Sequence, residues 1–403
     1  MASRFALVIV LAKIFEPAEV GQFGLFLATV TLSMLIIGGE FYTYSQRELI
    51  TLPKKDRSFV IQHQLIAIGL LYIFLLPPQL LIFHFDLLPM RFMYWFLGVL
   101  VVEHISQEIN RLLVAMQRPV LASWVLYVRM GSWVACVIPV IWLYPDYRKL
   151  EFLFGSWFAG ASLAIIIGSV VIYRESRPWE RVNVDWMWIR TGFKVAALFL
   201  IATASFKMLT TVDRYIVEYL SSLDVLGAYV LFAGMAMAVV NFLDPAVFSF
   251  LYPRAVSAYR QKDFAVYKKV MKEMIWSALG VALILVTAVI VLTPFVLDWI
   301  GKETYQQNIS ILWVLLTVST VYGVSMIPHY GLYAKGADHC IAYAHISSLI
   351  VFIITVYIIS PYTPLLATAY SLLAAFVWIG IVKTVCYYKY TQDSVINETN
   401  LVS

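Results

Sequence analysis

Six residues that lipid would reject fall within one apolar stretch: Glu103, His104, Gln107, Glu108, Asn110 and Arg111. Two acids, an imidazole and a guanidinium can hold a proton or a metal cation, or meet an anion. Ionisable groups inside a membrane segment are costly and normally face a bundle interior or a watery cavity. At about 100° per residue they share roughly half of a helix circumference, with Val101, Ile105, Ile109 and Leu112 opposite. Two readings stay open. The polar face lines a cavity, or it joins helices through pairs such as Glu108–Arg111 and Gln107–Arg111.

Further charged groups sit in other apolar stretches. Arg129 and Lys207 can pair with Glu103 or Glu108, or stand as cations for an anionic substrate; Lys207 can equally snorkel to the interface. Asp213–Arg214 is read as an outer gate or an exposed loop pair. Asn241 and Asp244–Pro245 interrupt a long apolar run, and proline there should break the helix. Pro77–Pro78 predicts a similar bend. Substrate contact is therefore expected at Arg111, Arg129 and Lys207, and ion coupling at Glu103, His104, Gln107, Glu108 or Asp244. His63 and His104 titrate near neutral pH when unperturbed, although a lone histidine more often satisfies a hydrogen bond.

The elements that carry these groups must be membrane helices. The 403 residues are 62% hydrophobic and 13% charged, against about 25% charged in soluble domains. Twelve apolar segments appear, near 2–15, 23–40, 59–83, 92–114, 120–144, 152–173, 194–212, 225–252, 274–299, 309–333, 341–360 and 364–386. The first reaches only about 21 Å as helix, short of a ~30 Å hydrocarbon core. Either a longer native start is missing, the favoured reading, or the helix begins within the membrane. Trp95, Trp142, Trp157, Trp186, Trp188, Trp299 and Trp378 lie near segment ends, as interface belts do.

Basic residues cluster in alternate loops: Arg47, Lys54, Lys55 and Arg57, then Arg174, Arg177, Arg181 and Arg190, then Arg254 to Lys272. The positive-inside rule puts both termini in the cytoplasm, and an even number of crossings agrees with termini on one side. Glu16–Phe26 (EPAEVGQFGLF) also returns as Ser221–Phe232 (SSLDVLGAYVLF), with Gly21 on Gly227, Phe23 on Tyr229, Leu25 on Leu231 and Phe26 on Phe232. Two like-oriented halves are one transporter design. The expectation is an all-α polytopic protein: a six-helix lobe over 1–173, a basic cytoplasmic linker over 174–193, and a second lobe over 194–403 around a central cavity.

Cys136, Cys340 and Cys386 lie too far apart for a metal or disulfide framework, and no nucleotide-binding motif is present. Neither cofactors nor nucleic acid are expected. Asn308-Ile309-Ser310 and Asn397-Glu398-Thr399 match a low-specificity glycosylation sequon.

Leu11-Ala12-Lys13-Ile14-Phe15-Glu16-Pro17-Ala18-Glu19-Val20-Gly21-Gln22-Phe23-Gly24 resembles the opening of polysaccharide flippases of the Wzx type. Gln46-Arg47-Glu48 fits as well. So do Asp213-Arg214, Asp224-Val225-Leu226-Gly227-Ala228-Tyr229, Tyr252-Pro253-Arg254 and, more weakly, Ala334-Lys335-Gly336. The resemblance implies two six-helix lobes around a cavity that opens alternately to each side of the bacterial inner membrane. It implies an undecaprenyl-diphosphate-linked oligosaccharide as substrate, with the polymerase and chain-length regulator of the same pathway as partners. A drug or small-molecule exporter on the same fold is the rival reading. A membrane polymerase or ligase fits less well, because the external loops are too short for paired catalytic groups.

Overall fold

The computed structural model describes residues 2–53, 56–175 and 183–402, and the regular structure among them is helical throughout. Arg177, Arg181, Lys54 and Lys55 of the basic loops lie outside the described residues. A chain this apolar must satisfy its backbone within each segment, which leaves the helix as the available form. Contacts divide the chain into two compact units, Met1–Phe15 with Gln22–Ala204, and Glu16–Gly21 with Ser205–Ser403.

The first unit holds α1 (Ala2–Ile14), most of α2 (Pro17–Gly38), α3 (Tyr42–Thr51), α4 (Arg57–Leu75), α5 (Leu81–His84), α6 (Met93–Ala115), α7 (Pro119–Tyr127), α8 (Trp133–Leu143), α9 (Leu150–Glu175) and the start of α10 (Trp186–Leu209). Its core is aromatic. Phe26 stacks on Phe154 at 3.7 Å and meets Phe92 and Phe96 edge-on. At Gly168 α9 comes so close to α6 that a Cβ would sit 2.2 Å from Ile109 Cγ2.

The second unit holds α11 (Val212–Leu220), α12 (Leu223–Leu243), α13 (Ser249–Arg260), α14 (Phe264–Ile300), α15 (Glu303–Gln307), α16 (Ser310–Ala334), α17 (Asp338–Ile359) and α18 (Pro364–Val402). Apolar on every face, α16 packs against α12, α14, α17 and α18. The 37-residue α14 starts on Asp263, whose carboxylate accepts from Val266 N–H at 3.0 Å, and stops at Gly301, where φ is +68°. Its basic first turns lengthen it well beyond the expected 274–299.

Both copies of the repeated motif are helix starts. Glu16 N–H donates to the Glu19 carboxylate at 3.1 Å ahead of Pro17 in the first turn of α2. Ser222 Oγ accepts from Val225 N–H at 3.3 Å to cap α12. By its contacts the opening of α2 belongs to the second unit. There Leu223 O lies 2.5 Å from where a Gly21 Cβ would be, and Pro17 O lies 2.0 Å from a Gly227 Cβ.

Each of the twelve expected segments coincides with a helix or a broken helix. Nine, or ten counting one bent pair (Trp186–Ala197 with Phe199–Leu220), are long and apolar enough to span a membrane among the described residues. Twelve spans are thus not established. The first segment is a short helix, and α6 falls outside the set while carrying Glu103, Glu108 and Arg111. The breaks expected from proline appear. Pro77–Leu80 forms a 3-10 turn after α4, and Asp244–Phe248 forms a π turn between α12 and α13. Proline did not signal a second π turn, Val128–Ser132, which carries Arg129 between α7 and α8. Trp133 Nε1 donates to Arg129 O at 3.1 Å there, satisfying a carbonyl at the irregularity.

Candidate functional site

The polar residues of α6 divide into two groups. His104, Glu108 and Arg111 lie within about 60° of one another around the helix, whereas Glu103 is about 140° from Glu108. Each group has its own partners.

The first group forms a network in the first unit. Glu108 accepts from Gln64 Nε2 at 2.7 Å and from Arg111 Nη1 at 2.6 Å, so both carboxylate oxygens are engaged. Gln64 Oε1 in turn accepts from Ser45 Oγ at 2.9 Å. Arg111 lays its guanidinium 3.4 Å over the Tyr42 ring and keeps 23% of its side chain exposed. His104 Nε2 lies 3.9 Å from Glu108, and its Nδ1 shares a 2.7 Å hydrogen bond with Tyr72 OH. Gln64, Tyr72 and Glu108 line a cavity of about 410 Å³, whose other walls are mainly aliphatic residues such as Ile61, Ile105 and Ile172. Charge, proton donors and acceptors thus border an apolar hollow. That arrangement can hold a proton or a polar group against an apolar one.

Glu103 and Arg129 form the second group. Arg129 Nε lies 3.7 Å from Glu103 Oε1, and Trp157 Nε1 donates to Glu103 Oε2 at 2.9 Å. Arg129 is 5% exposed and Glu103 3%. Of the two expected partners, Arg129 takes Glu103. Trp157 is fully buried on α9, not in an interface belt, because its indole N–H is spent on that acid. Gln107 is half-buried, and Asn110 Nδ2 donates to Ala122 O at 2.6 Å, tying α6 to α7.

His63 is occupied on both nitrogens. Asp185 N–H donates to Nε2 at 2.8 Å, and Nδ1 meets Phe59 O at 2.8 Å. With Nε2 accepting from the backbone and Nδ1 facing a carbonyl, the ring anchors the chain ahead of α10.

In the second unit Lys207, Asp213 and Arg214 line one cavity of about 230 Å³ with Tyr229, Ser319 and Tyr322. Asp213 is 4% exposed, so the loop alternative fails: it sits in the first turn of α11, where a carboxylate is favoured. It accepts from Tyr229 OH at 2.7 Å and from Arg214 Nη1 at 3.0 Å. Tyr229→Phe leaves an acceptor unmet and is expected to cost about 1–2 kcal/mol. A thermal melt of the purified protein would read this as a lowered midpoint with the fold retained. Asp244 is exposed at the π turn and accepts from Tyr330 OH at 3.0 Å.

The weak motif Ala334-Lys335-Gly336 has a local role. Lys335 Nζ donates to Tyr387 O at 3.3 Å and to Thr391 Oγ1, stapling the end of α16 to α18. Burial there pulls the Lys335 pKa down to about 8. Among the described residues no cluster of His, Cys, Asp and Glu is fit to hold a metal ion.

No local pattern marks Gln64, Tyr72 and Tyr42, whose links to α6 cross tens of residues, and Trp157, expected in an interface belt, is instead a partner of Glu103. Sequence reasoning passed over Lys383, His329 and His345, although a lysine inside the 364–386 apolar segment was a visible signal.

Comparison with known structures places the fold. A multidrug resistance MATE family transporter of the MOP superfamily, solved in an inward-facing conformation, aligns with a TM-score of 0.76 at 14% identity, covering 98% of this chain and 95% of that one. A MATE protein in a bent conformation gives 0.61 at 13% identity over 98% and 93%. A MOP superfamily transporter from Pyrococcus furiosus Vc1 (DSM3638) gives 0.61 at 13% identity over 96% and 91%. The chain therefore shares its multi-pass membrane fold with these solved transporters. No curated protein matches the sequence. The family model described as "Polysaccharide biosynthesis protein" matches residues 4–259, in agreement with the Wzx-type resemblance. With well over half of its length covered, the chain belongs to the polysaccharide biosynthesis protein family.

Proposed function

We propose that this protein is a flippase that carries an undecaprenyl-diphosphate-linked oligosaccharide repeat unit across the bacterial inner membrane by alternating access, driven by an ion gradient. The family match over residues 4–259 carries this reading. A sugar diphosphate cannot enter hydrocarbon, whereas its prenyl tail need not leave it. The protein's task is to give the head group a polar route while the tail stays in lipid. Arg111 suits first contact with the diphosphate, because its guanidinium is partly exposed and held in place by Glu108 and Tyr42. Arg129 and Lys207 are the further cationic candidates. Glu103, His104, Gln107, Glu108 and Asp244 are the candidates for ion coupling, with Asp213–Arg214 as a gate. In this reading both termini lie in the cytoplasm, and the pathway's polymerase and chain-length regulator are the proposed partners.

Deletion of the gene is expected to accumulate lipid-linked oligosaccharide on the cytoplasmic side and to remove surface polymer. Wild-type protein should restore display. Arg111→Gln, at a partly exposed position and without setting a second carboxylate against Glu108, should fold yet restore less than about a tenth of it, the factor for about 1.4 kcal/mol. Unchanged polymer in the deletion strain would refute the reading. The rival exporter of small molecules shares the fold of a multidrug resistance transporter. Efflux of ethidium from reconstituted vesicles, with lipid-linked sugar unaltered in cells, would favour it.

A further inference from the structure

Lys383 stands apart from every group discussed above. It lies toward the C-terminal end of the apolar part of α18 and is fully buried, at 0% exposure. Its Nζ has no hydrogen-bond partner, and the Nδ1 of His329 on α16 is likewise buried without one. His345 on α17 presents its ring parallel to that of His329, at 6.5 Å between centroids, and Lys383 is near enough to act electrostatically on both imidazoles. Three basic groups from three helices therefore converge in one place.

Other groups nearby do not supply a counter-charge. On α16 His329 touches Tyr330, whose hydroxyl is given to Asp244 of the π turn. His345 packs on Phe206 of α10, and Phe206 on Tyr322 of α16. From α17, Ser347 accepts from Trp378 of α18. On α11 Asp213 is engaged by Arg214 and Tyr229. Among the described residues no carboxylate forms an ion pair with Lys383, His329 or His345.

We propose that Lys383, His329 and His345 form a site for one proton inside the second unit, and that loading it drives a rearrangement of α16 against α17 and α18. An ammonium buried without a counter-charge is costly, so the packing seen here suits the unloaded site. One proton can be taken on an amine or imidazole lone pair, with a hydronium ion as donor and water as the product. A second beside it would face a like charge at close range, which limits the site to one. Lys383 lines neither of the cavities described above nor the hollow of about 650 Å³ beside Pro328, Gly380 and Thr384, and a proton needs no room where an anion would. Pro328, immediately before His329, removes one backbone hydrogen bond from α16 and supplies a point at which the helix can bend. As a coupling device the site rests on the transport reading; as a proton site it does not.

The test uses purified full-length protein in detergent, melted between pH 5.5 and 8.5. A buried ammonium without a counter-charge opposes folding, so wild-type stability is expected to rise with pH. Lys383→Met is expected to remove at least about half of that rise, the remainder belonging to groups such as Lys335, whose pKa burial lowers. His329→Asn with His345→Asn should also flatten it, and serves if Lys383→Met does not fold. Slopes parallel to wild type in the variants that fold would overturn the proposal. In the deletion strain, folded Lys383→Met should fail to restore surface polymer where wild type succeeds. Restoration by that variant with a wild-type response to external pH would overturn the coupling role. If wild type itself restores nothing, the transport reading fails, and the melting slopes still decide the proton site.

Discussion

Arg129→Met is expected to leave little folded protein in the membrane, and adding Glu103→Gln to the same chain should bring it back. The pair is 3.7 Å apart and both side chains are almost fully buried. Removing one member of such a pair strands the other charge and typically costs about 3–5 kcal/mol, whereas neutralising both is often close to neutral. Total stabilities of about 5–15 kcal/mol leave little margin for the single change. Glutamine keeps an oxygen for the Trp157 indole N–H, which now ends on Glu103. Size-exclusion yield and melting midpoint read the fold, and surface polymer reads function. A single variant as stable as wild type would contradict the structural role. A double variant that folds but displays no polymer would show that the pair also works on substrate or ion. Arg129→Glu is the weaker experiment, because it would set two carboxylates against each other inside the protein.

The sequence made the polar face of α6 visible, because six polar residues cannot hide in one apolar helix. It did not reveal that the face is two sites. The 140° between Glu103 and Glu108 follows from helix geometry, but only the positions of Arg129, Trp157, Gln64 and Tyr42 give that angle meaning. Those partners come from α3, α4, α9 and the π turn, and no local pattern encodes such distant pairings. The break at Asp244 was legible because Pro245 forces one; the break at Arg129 was not, since no proline marks it. Asp213 could be read as a gate or as an exposed loop residue because it lies between apolar runs, and burial under Tyr229 removes the exposed-loop reading. Lys383 was visible as a lone lysine in an apolar run, but its convergence with His329 and His345 from two other helices is a pairing no local spacing encodes.

Gly227→Val is the second change expected to be severe. The repeat aligns Gly227 with Gly21, and each glycine is where the start of one helix meets the start of the other. A Cβ on residue 227 would lie 2.0 Å from Pro17 O and 2.7 Å from Pro17 C. These are backbone atoms, which cannot rotate aside as a side-chain tip could. Overpacking commonly costs about 1–3 kcal/mol, and a backbone obstacle puts this case at the upper end or beyond. Gly21→Ala should be milder, with its obstacle, Leu223 O, at 2.5 Å. Gly280 on α14 is the control, since a Cβ there meets nothing within 4 Å. Gly280→Ala should leave the midpoint unchanged or raise it by a few degrees, as replacing a mid-helix glycine contributes about 0.5–1 kcal/mol. The expected order of melting midpoints is therefore Gly280→Ala, wild type, Gly21→Ala, then Gly227→Val. A Gly227→Val protein that melts with wild type would mean that α2 and α12 do not meet through these backbones. The repeated glycine would then need a reason other than close approach.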